Sequence, residues 1–274
     1  MIRIFFCLYI IFSTLLLAAD GICYGNHPSF NHDGKKILYD FHGKIYTIDL
    51  ISKSIRLICD SVEASNAKWS PNGKRIVFQG IQNKDQLNVS SIWIIDEDKT
   101  HLIELFRSTN EINHNPSFSR DGKSIAWSRG NQIWVARANG ENPHPLKNID
   151  QPNEAYFQDW SPDGKTIMFL TITDTLSTTV WLYDINSQHL KPLSTKMDFL
   201  SARWFKDTSH IALLTSYGIV LLDMNELNDQ YLLYSGFGIG SYDISRDGKS
   251  IVYELQDPEY DSTIMIDKLT SEGK

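Results

Sequence analysis

The sequence predicts an all-β protein, a six-bladed β-propeller built from four-stranded antiparallel blades. Three observations point there. The stretch Trp160-Ser161-Pro162-Asp163-Gly164-Lys165-Thr166-Ile167-Met168-Phe169 recurs in degraded form along the chain. Its copies begin about 40 to 50 residues apart, the span of one four-stranded blade. Tyr, Trp and Phe make up 12% of the 274 residues, and no segment keeps a helical hydrophobic period.

The repeat encodes a hairpin. An aromatic residue ends one strand, Pro162 presets φ, Asp163 holds the turn, and Gly164 takes the positive φ that closes it. Ile167 and Phe169 then begin a return strand by alternation. The other copies open at Phe30, Trp69, Phe118, Trp204 and Ile244, so six blades are expected. Asp33 and Gly34, Asn72 and Gly73, Asp121 and Gly122, Asp163 and Gly164, Asp207, and Asp247 and Gly248 are read as structural turn residues. Thr208 replaces the glycine in the fifth copy, which is the weakest.

Taken in order, the chain starts with Met1-Ile2-Arg3 and an apolar run from Ile4 to Leu17, followed by Ala18 and Ala19. This is the layout of a secretory signal peptide over 1–21, with cleavage expected after Ala19 or Gly21. The run is shorter than the roughly 18 to 20 residues of a spanning helix. Periplasmic or secreted localisation follows. Of three cysteines, Cys7 lies in the leader; Cys23 and Cys59 remain, and their spacing leaves open whether they form a disulfide.

Residues 22–274 are then one propeller, with blades at about 26–60, 65–106, 113–147, 155–194, 200–235 and 240–274. In the first blade, 27–30, 36–39, 44–49 and 55–59 are the four strands from the inside outward. The third strand has its own signature, as in Ile92-Trp93-Ile94-Ile95-Asp96, Ile133-Trp134-Val135-Ala136 and Val180-Trp181-Leu182-Tyr183-Asp184. These runs are apolar on both faces because a blade is sandwiched between two others. After Asp267 only a polar tail remains for the sixth blade's outer strand. The apolar segment Ile22-Cys23-Tyr24, within 22–25, is expected to take that place and close the ring.

The aromatic-Ser-Pro-Asp-Gly-Lys-x-Ile-x-aromatic pattern, followed by Ile-Trp-x-x-Asp, resembles the WD-like repeat of the TolB family's propeller domain. The resemblance covers nearly all of the chain after the leader and implies a periplasmic, protein-binding propeller whose partner is an envelope lipoprotein. It does not extend to the α/β domain that precedes the propeller in that family. The repeats are also similar to those of oligogalacturonate lyases and of prolyl-oligopeptidase-type peptidases, so fold outruns function here.

Charge and motifs narrow the classes. A formal net charge of −7, with no Lys/Arg cluster to track a phosphate backbone, argues against nucleic acid. There is no Gly-x-Ser-x-Gly elbow, no His-Glu-x-x-His and no Cys-x-x-Cys. The eight histidines fall mostly in turns or beside outer strands. No catalytic residue, cofactor or metal ligand is therefore assigned, and the protein is read as a non-enzyme and a monomer.

Polar residues cluster just before the inner strands: Asn26 and His27, Asn66, Asn113, His114 and Asn115, and Asn153, Glu154 and Tyr156. They should ring one mouth of the central channel and form a partner-binding set, since rigid scaffolds carry function on such segments. The connections between second and third strands emerge on the same side. They are short around 40–43, 128–131 and 216–218, and long around 80–90, 171–179 and 256–262. The reading is a protein or peptide bound over this mouth. The alternative is a metal-dependent enzyme or carbohydrate binder with a divalent cation in the channel, a role for which the inner strands show no acidic ladder.

Overall fold

The computed structural model describes residues 21–84, 87–147, 149, 155–172, 178–193, 197–226, 230–257 and 261–269. These form six four-stranded antiparallel sheets and no helix. Strand β1 (Cys23–Tyr24) belongs to the last sheet. Blade one is β2 (Asn26–Phe30), β3 (Lys36–Phe41), β4 (Lys44–Asp49) and β5 (Ile55–Cys59). Blade two is β6 (Glu63–Trp69), β7 (Arg75–Lys84), β8 (Leu87–Asp96) and β9 (Ile103–Ser108). Blade three is β10 (Asn113–Phe118), β11 (Ser124–Arg129), β12 (Gln132–Arg137) and the two-residue β13 (His144–Pro145). Blade four is β14 (Ala155–Trp160), β15 (Thr166–Ile172), β16 (Thr178–Asp184) and β17 (His189–Leu193). Blade five is β18 (Ser201–Trp204), β19 (His210–Thr215), β20 (Gly218–Asp223) and β21 (Gln230–Ser235). Blade six is β22 (Ile239–Ile244), β23 (Ser250–Leu255) and β24 (Thr263–Lys268), with β1 outermost.

The ring closes through that last sheet. Cys23 pairs with Ile264 and Tyr24 with Thr263, and the Ile22 and Gly25 amides donate to the Ile264 and Ser262 carbonyls at 2.8 Å. Strand β24 thus has no open edge beside β1, where an unpaired strand would invite association. Cys23 and Cys59 are both free and buried. They lie in different blade interfaces, Cys23 with Tyr39 and Ile264 and Cys59 with Trp69 and Phe78.

The turns show why the repeat has its residues. The Gly164 amide donates to the Ser161 carbonyl at 2.9 Å, the Ser161 hydroxyl to Asp163 at 2.7 Å, and the Lys165 amide to Asp163 at 3.1 Å. Gly34, Gly73, Gly122, Gly164 and Gly248 all sit at φ between +69° and +72°, a region costly for any side chain. In the fifth blade Asp207 instead accepts from the Ser209 and His210 amides at 2.8 and 2.9 Å, an arrangement that needs no glycine.

The core is six clusters, one between each pair of neighbouring blades. Alternation along the second strands builds them. Ile37 and Tyr39 face the sixth blade's side while Leu38 faces the second blade. Ile167 and Phe169 pack toward blade three, and Met168 and Leu170 toward blade five. Period-2 side chains that are apolar on both faces are what a sheet stacked on two others requires. One expectation changes. The segment around 80–90 is not a loop but a two-stranded arm, paired in register out to Lys84 and Leu87.

Candidate functional site

Every inner strand starts at the same face of the ring and runs through the channel to the repeat's turn on the opposite face. Five of the six are bulged near their start: the register shifts between Asn26 and Ser29, Ser65 and Lys68, His114 and Ser117, Phe157 and Asp159, and Ile239 and Tyr242. At the bulges His27, Asn66 and Asn115 take φ of 48°, 52° and 53°. Asn and His tolerate this left-handed backbone better than most residues, and a bulge re-aims a side chain. Short polar residues before the inner strands therefore reflect backbone geometry as well as any contact they make.

The bulges are tied across blades. Asp40, buried on β3, accepts from the Asn66 amide at 3.0 Å and lies 2.9 Å from His27 Nδ1. The His27 amide reaches Glu254 of blade six at 3.4 Å, and Glu254 also accepts the Ser241 hydroxyl at 2.7 Å and the Ser262 hydroxyl at 3.1 Å. Burial acts to lower the His27 pKa, but the hydrogen bond and charge of Asp40, with the charge of Glu254, outweigh it and the net shift is upward. Asn113 is fully buried. Its Nδ2 donates to the Ser90 carbonyl at 2.9 Å, and its Oδ1 accepts from Trp127 Nε1 at 3.0 Å. It joins blades two and three from inside.

His27, Asn66, Asn115 and Tyr156 line one cavity of about 280 Å³ at the mouth. Asn26 lines a neighbouring recess of about 430 Å³ with Asp40, His42, Glu63 and Asp261. The His114 ring lies 5.3 Å from the Tyr156 ring. Asn153 and Glu154 lie outside the described residues. A further cavity of about 670 Å³, with Trp160 and Ile167 in its lining, opens between blades three and four, away from the channel and beside the two-residue β13.

Sequence reasoning missed the residues that line the middle of the channel. These are Ser29, Lys68, Ser117, Asp159, Arg203 and Asp243, one from each blade. They were legible as the residue just before each repeat's first aromatic or aliphatic position. Burial, then repulsion from Arg203, pulls the Lys68 pKa down to about 8. Burial pushes the Asp159 pKa up, against the nearby Arg120 and Arg203 charges. Among the described residues no group of three or more His, Cys, Asp or Glu converges as a metal site.

Around the mouth stands a partial rim of exposed apolar side chains. Ile112 (61% exposed), Leu200 (67%) and Phe237 (75%) precede inner strands, and Ile172, Tyr217 and Leu255 lie at second-strand ends or the adjoining turn. All six belong to blades three to six. The rim from the 261–262 segment of blade six across blades one and two exposes Asp60, Glu63 and Asp261, with His42 and Lys44 among them. No helix among the described residues is long and apolar enough to cross a membrane.

No curated protein sequence gives a significant match. Among solved structures, TolB from Acinetobacter baumannii superposes with a TM-score of 0.67 at 18% identity, over 90% of this chain and 63% of that one. The chain thus spans less than two thirds of that protein's length. A putative TolB from Agrobacterium tumefaciens gives 0.67 at 15% identity over 90% of both chains. An oligogalacturonate lyase in complex with manganese gives 0.67 at 12% identity, over 91% of this chain and 78% of that one. At these identities the likeness shows the fold. The sequence profile of the TolB beta propeller domain family matches residues 25–204, about two thirds of the chain, and the protein belongs to that family.

Proposed function

We propose that this propeller is a non-enzymatic, exported binding protein that seats a protein or peptide partner over the channel mouth. The apolar crescent of Ile112, Ile172, Leu200, Tyr217, Phe237 and Leu255 carries the reading. Contiguous exposed apolar side chains beside polar ones mark interaction surfaces, and the large ones at the centre dominate binding energy. The acidic side of the rim selects a partner whose apolar anchor is flanked by basic residues, because like charges there would be repelled. His27, Asn66, Asn115 and Tyr156 then offer polar contacts in the cavity inside the crescent. The ring of interlocked blades holds these groups in place, so docking needs little backbone movement. The apolar leader and the family resemblance support a periplasmic or secreted location, and an envelope lipoprotein is the partner class the family suggests.

The test is affinity capture after crosslinking in intact cells, comparing the wild-type chain with Leu200→Ser/Phe237→Ser. Both side chains are exposed, so the variant folds as the wild type does. A protein captured by the wild type and lost in the variant supports the reading. Equal capture by both, or none by either, contradicts it.

A further inference from the structure

The opposite mouth of the channel, at the turn side, has a different chemistry. Two stacked rings of side chains line a cavity of about 320 Å³ there. The outer ring is the second residue of each repeat turn. Pro71 and Pro162 occupy it in blades two and four, and His32, Arg120, Lys206 and Arg246 in the others. The inner ring, one step deeper, contains Lys68 and Arg203 on blades two and five, which face each other across the six-fold ring. Arg120, Arg203, Lys206 and Arg246, with Lys68, thus meet two carboxylates, Asp159 and Asp243, inside a chain whose formal net charge is −7.

The carboxylates nearby also hold backbone and hydroxyl groups. Asp243 Oδ2 accepts the Phe30 amide at 2.8 Å and the Ser29 hydroxyl at 3.3 Å, which draws it onto blade one. Asp159 accepts the amide of its own neighbour Trp160 at 2.8 Å. The turn residues Asp33, Asp121 and Asp163 hold backbone amides and lie 3.9 to 4.0 Å from the outward lysines Lys35, Lys123 and Lys165. Among the described residues no carboxylate lies within 4.0 Å of the charged groups of Lys68, Arg120, Lys206 or Arg246. Converging cations in a concave site with low-dielectric walls focus field and concentrate anions.

We propose that this turn-side mouth is a binding site for a small oxyanion carrying two or more negative charges, with Arg120, Lys206 and Arg246 as the collar and Lys68 and Arg203 as the floor. Guanidinium groups hold carboxylate and phosphate oxygens in pairs, and the lysine acts as a point charge below. At about 30 Å³ per water, the cavity replaces about ten waters, the size of a small polycarboxylate or phosphate compound rather than a polymer. The site opens on the face opposite the apolar crescent, and its floor is shared: Lys68, Ser117 and Arg203 also line the mouth-side cavity of about 280 Å³.

Calorimetric titration of the full chain at constant ionic strength tests this, with citrate and inorganic phosphate as probes. The variants are Arg120→Gln/Lys206→Gln/Arg246→Gln, whose substitutions all fall on exposed turn positions, and separately Lys68→Met. Citrate is expected to bind the wild type, with Kd raised at least about tenfold in each variant, roughly the loss of one charge-assisted contact. Tighter citrate than phosphate assigns the site to polycarboxylates, and the reverse order to a phosphate group. Failure of both probes to bind below about 10 mM, a free energy weaker than any specific site would give, overturns the proposal. So does equal affinity in wild type and the collar variant, which places the anion elsewhere.

Discussion

Asn113→Ala should destabilise the fold while leaving the mouth surface intact. The substitution removes two side-chain hydrogen bonds, from Nδ2 to the Ser90 carbonyl and from Trp127 Nε1 to Oδ1. Trp127 is only 1% exposed, so its indole N–H loses its partner where water does not reach. An orphaned buried donor costs about 1–3 kcal/mol, and the loss at Ser90 adds about 1 kcal/mol, giving about 2–4 kcal/mol in all. For a chain of this size that is a fall in Tm of about 4–16 °C. Equilibrium denaturation in urea with an unchanged m-value reads it. In a Trp127→Phe background the orphan no longer exists, so the same substitution should cost at least about 1 kcal/mol less. An Asn113→Ala protein within about 0.5 kcal/mol of wild type, the ordinary range of a surface change, would refute the reasoning.

Three further outcomes follow. Because the folded-state pKa of His27 is raised above 6.5, the folded state binds more protons near neutrality. That stabilisation is complete below about pH 6.5 and is lost as pH rises through the folded value. Tm of wild type should therefore fall relative to His27→Asn, which keeps a residue suited to the left-handed φ, as buffers go from pH 6 to 8.5; parallel curves would show no linkage. Gly34→Ala meets nothing within 4 Å, so its cost is the backbone alone, about 1–2 kcal/mol, checked by the same denaturation. A stability unchanged from wild type would mean that the turn does not need its +70° φ. Cys23, whose pKa burial pushes up to about 12, should resist iodoacetamide at pH 8 in the folded protein and react on unfolding, read by mass spectrometry. Rapid labelling of the native protein would show that β1 is not seated on β24.

How far the sequence could be read depended on whether the physics was local. The turn at Ser161 to Lys165 is held by bonds within five residues, so its copies announce themselves and with them the blades. The two-faced second strands follow from the same register. The segment around 80–90 read as a loop because Asn83 to Gln86 contains no Gly or Pro, yet the strands pair out to Lys84 and Leu87. Asn113, grouped with Asn115 by position, has a separate role because Trp127, which fixes it, comes from the next strand of the sheet. The channel cations were hidden for another reason. Lys68 and Arg203 are separated by three blades and look like isolated surface charges until the ring closes.

The proposed docking face is the mouth. Its direct test is a photo-crosslinking amino acid placed in turn at Ile172, Leu200 and Phe237, and for comparison at Lys123 and Lys165 on the turn face, in cells that express the chain. Adducts with the same protein from the three mouth positions and none from the turn positions are predicted. Adducts from the turn positions alone, or from neither set, would contradict it.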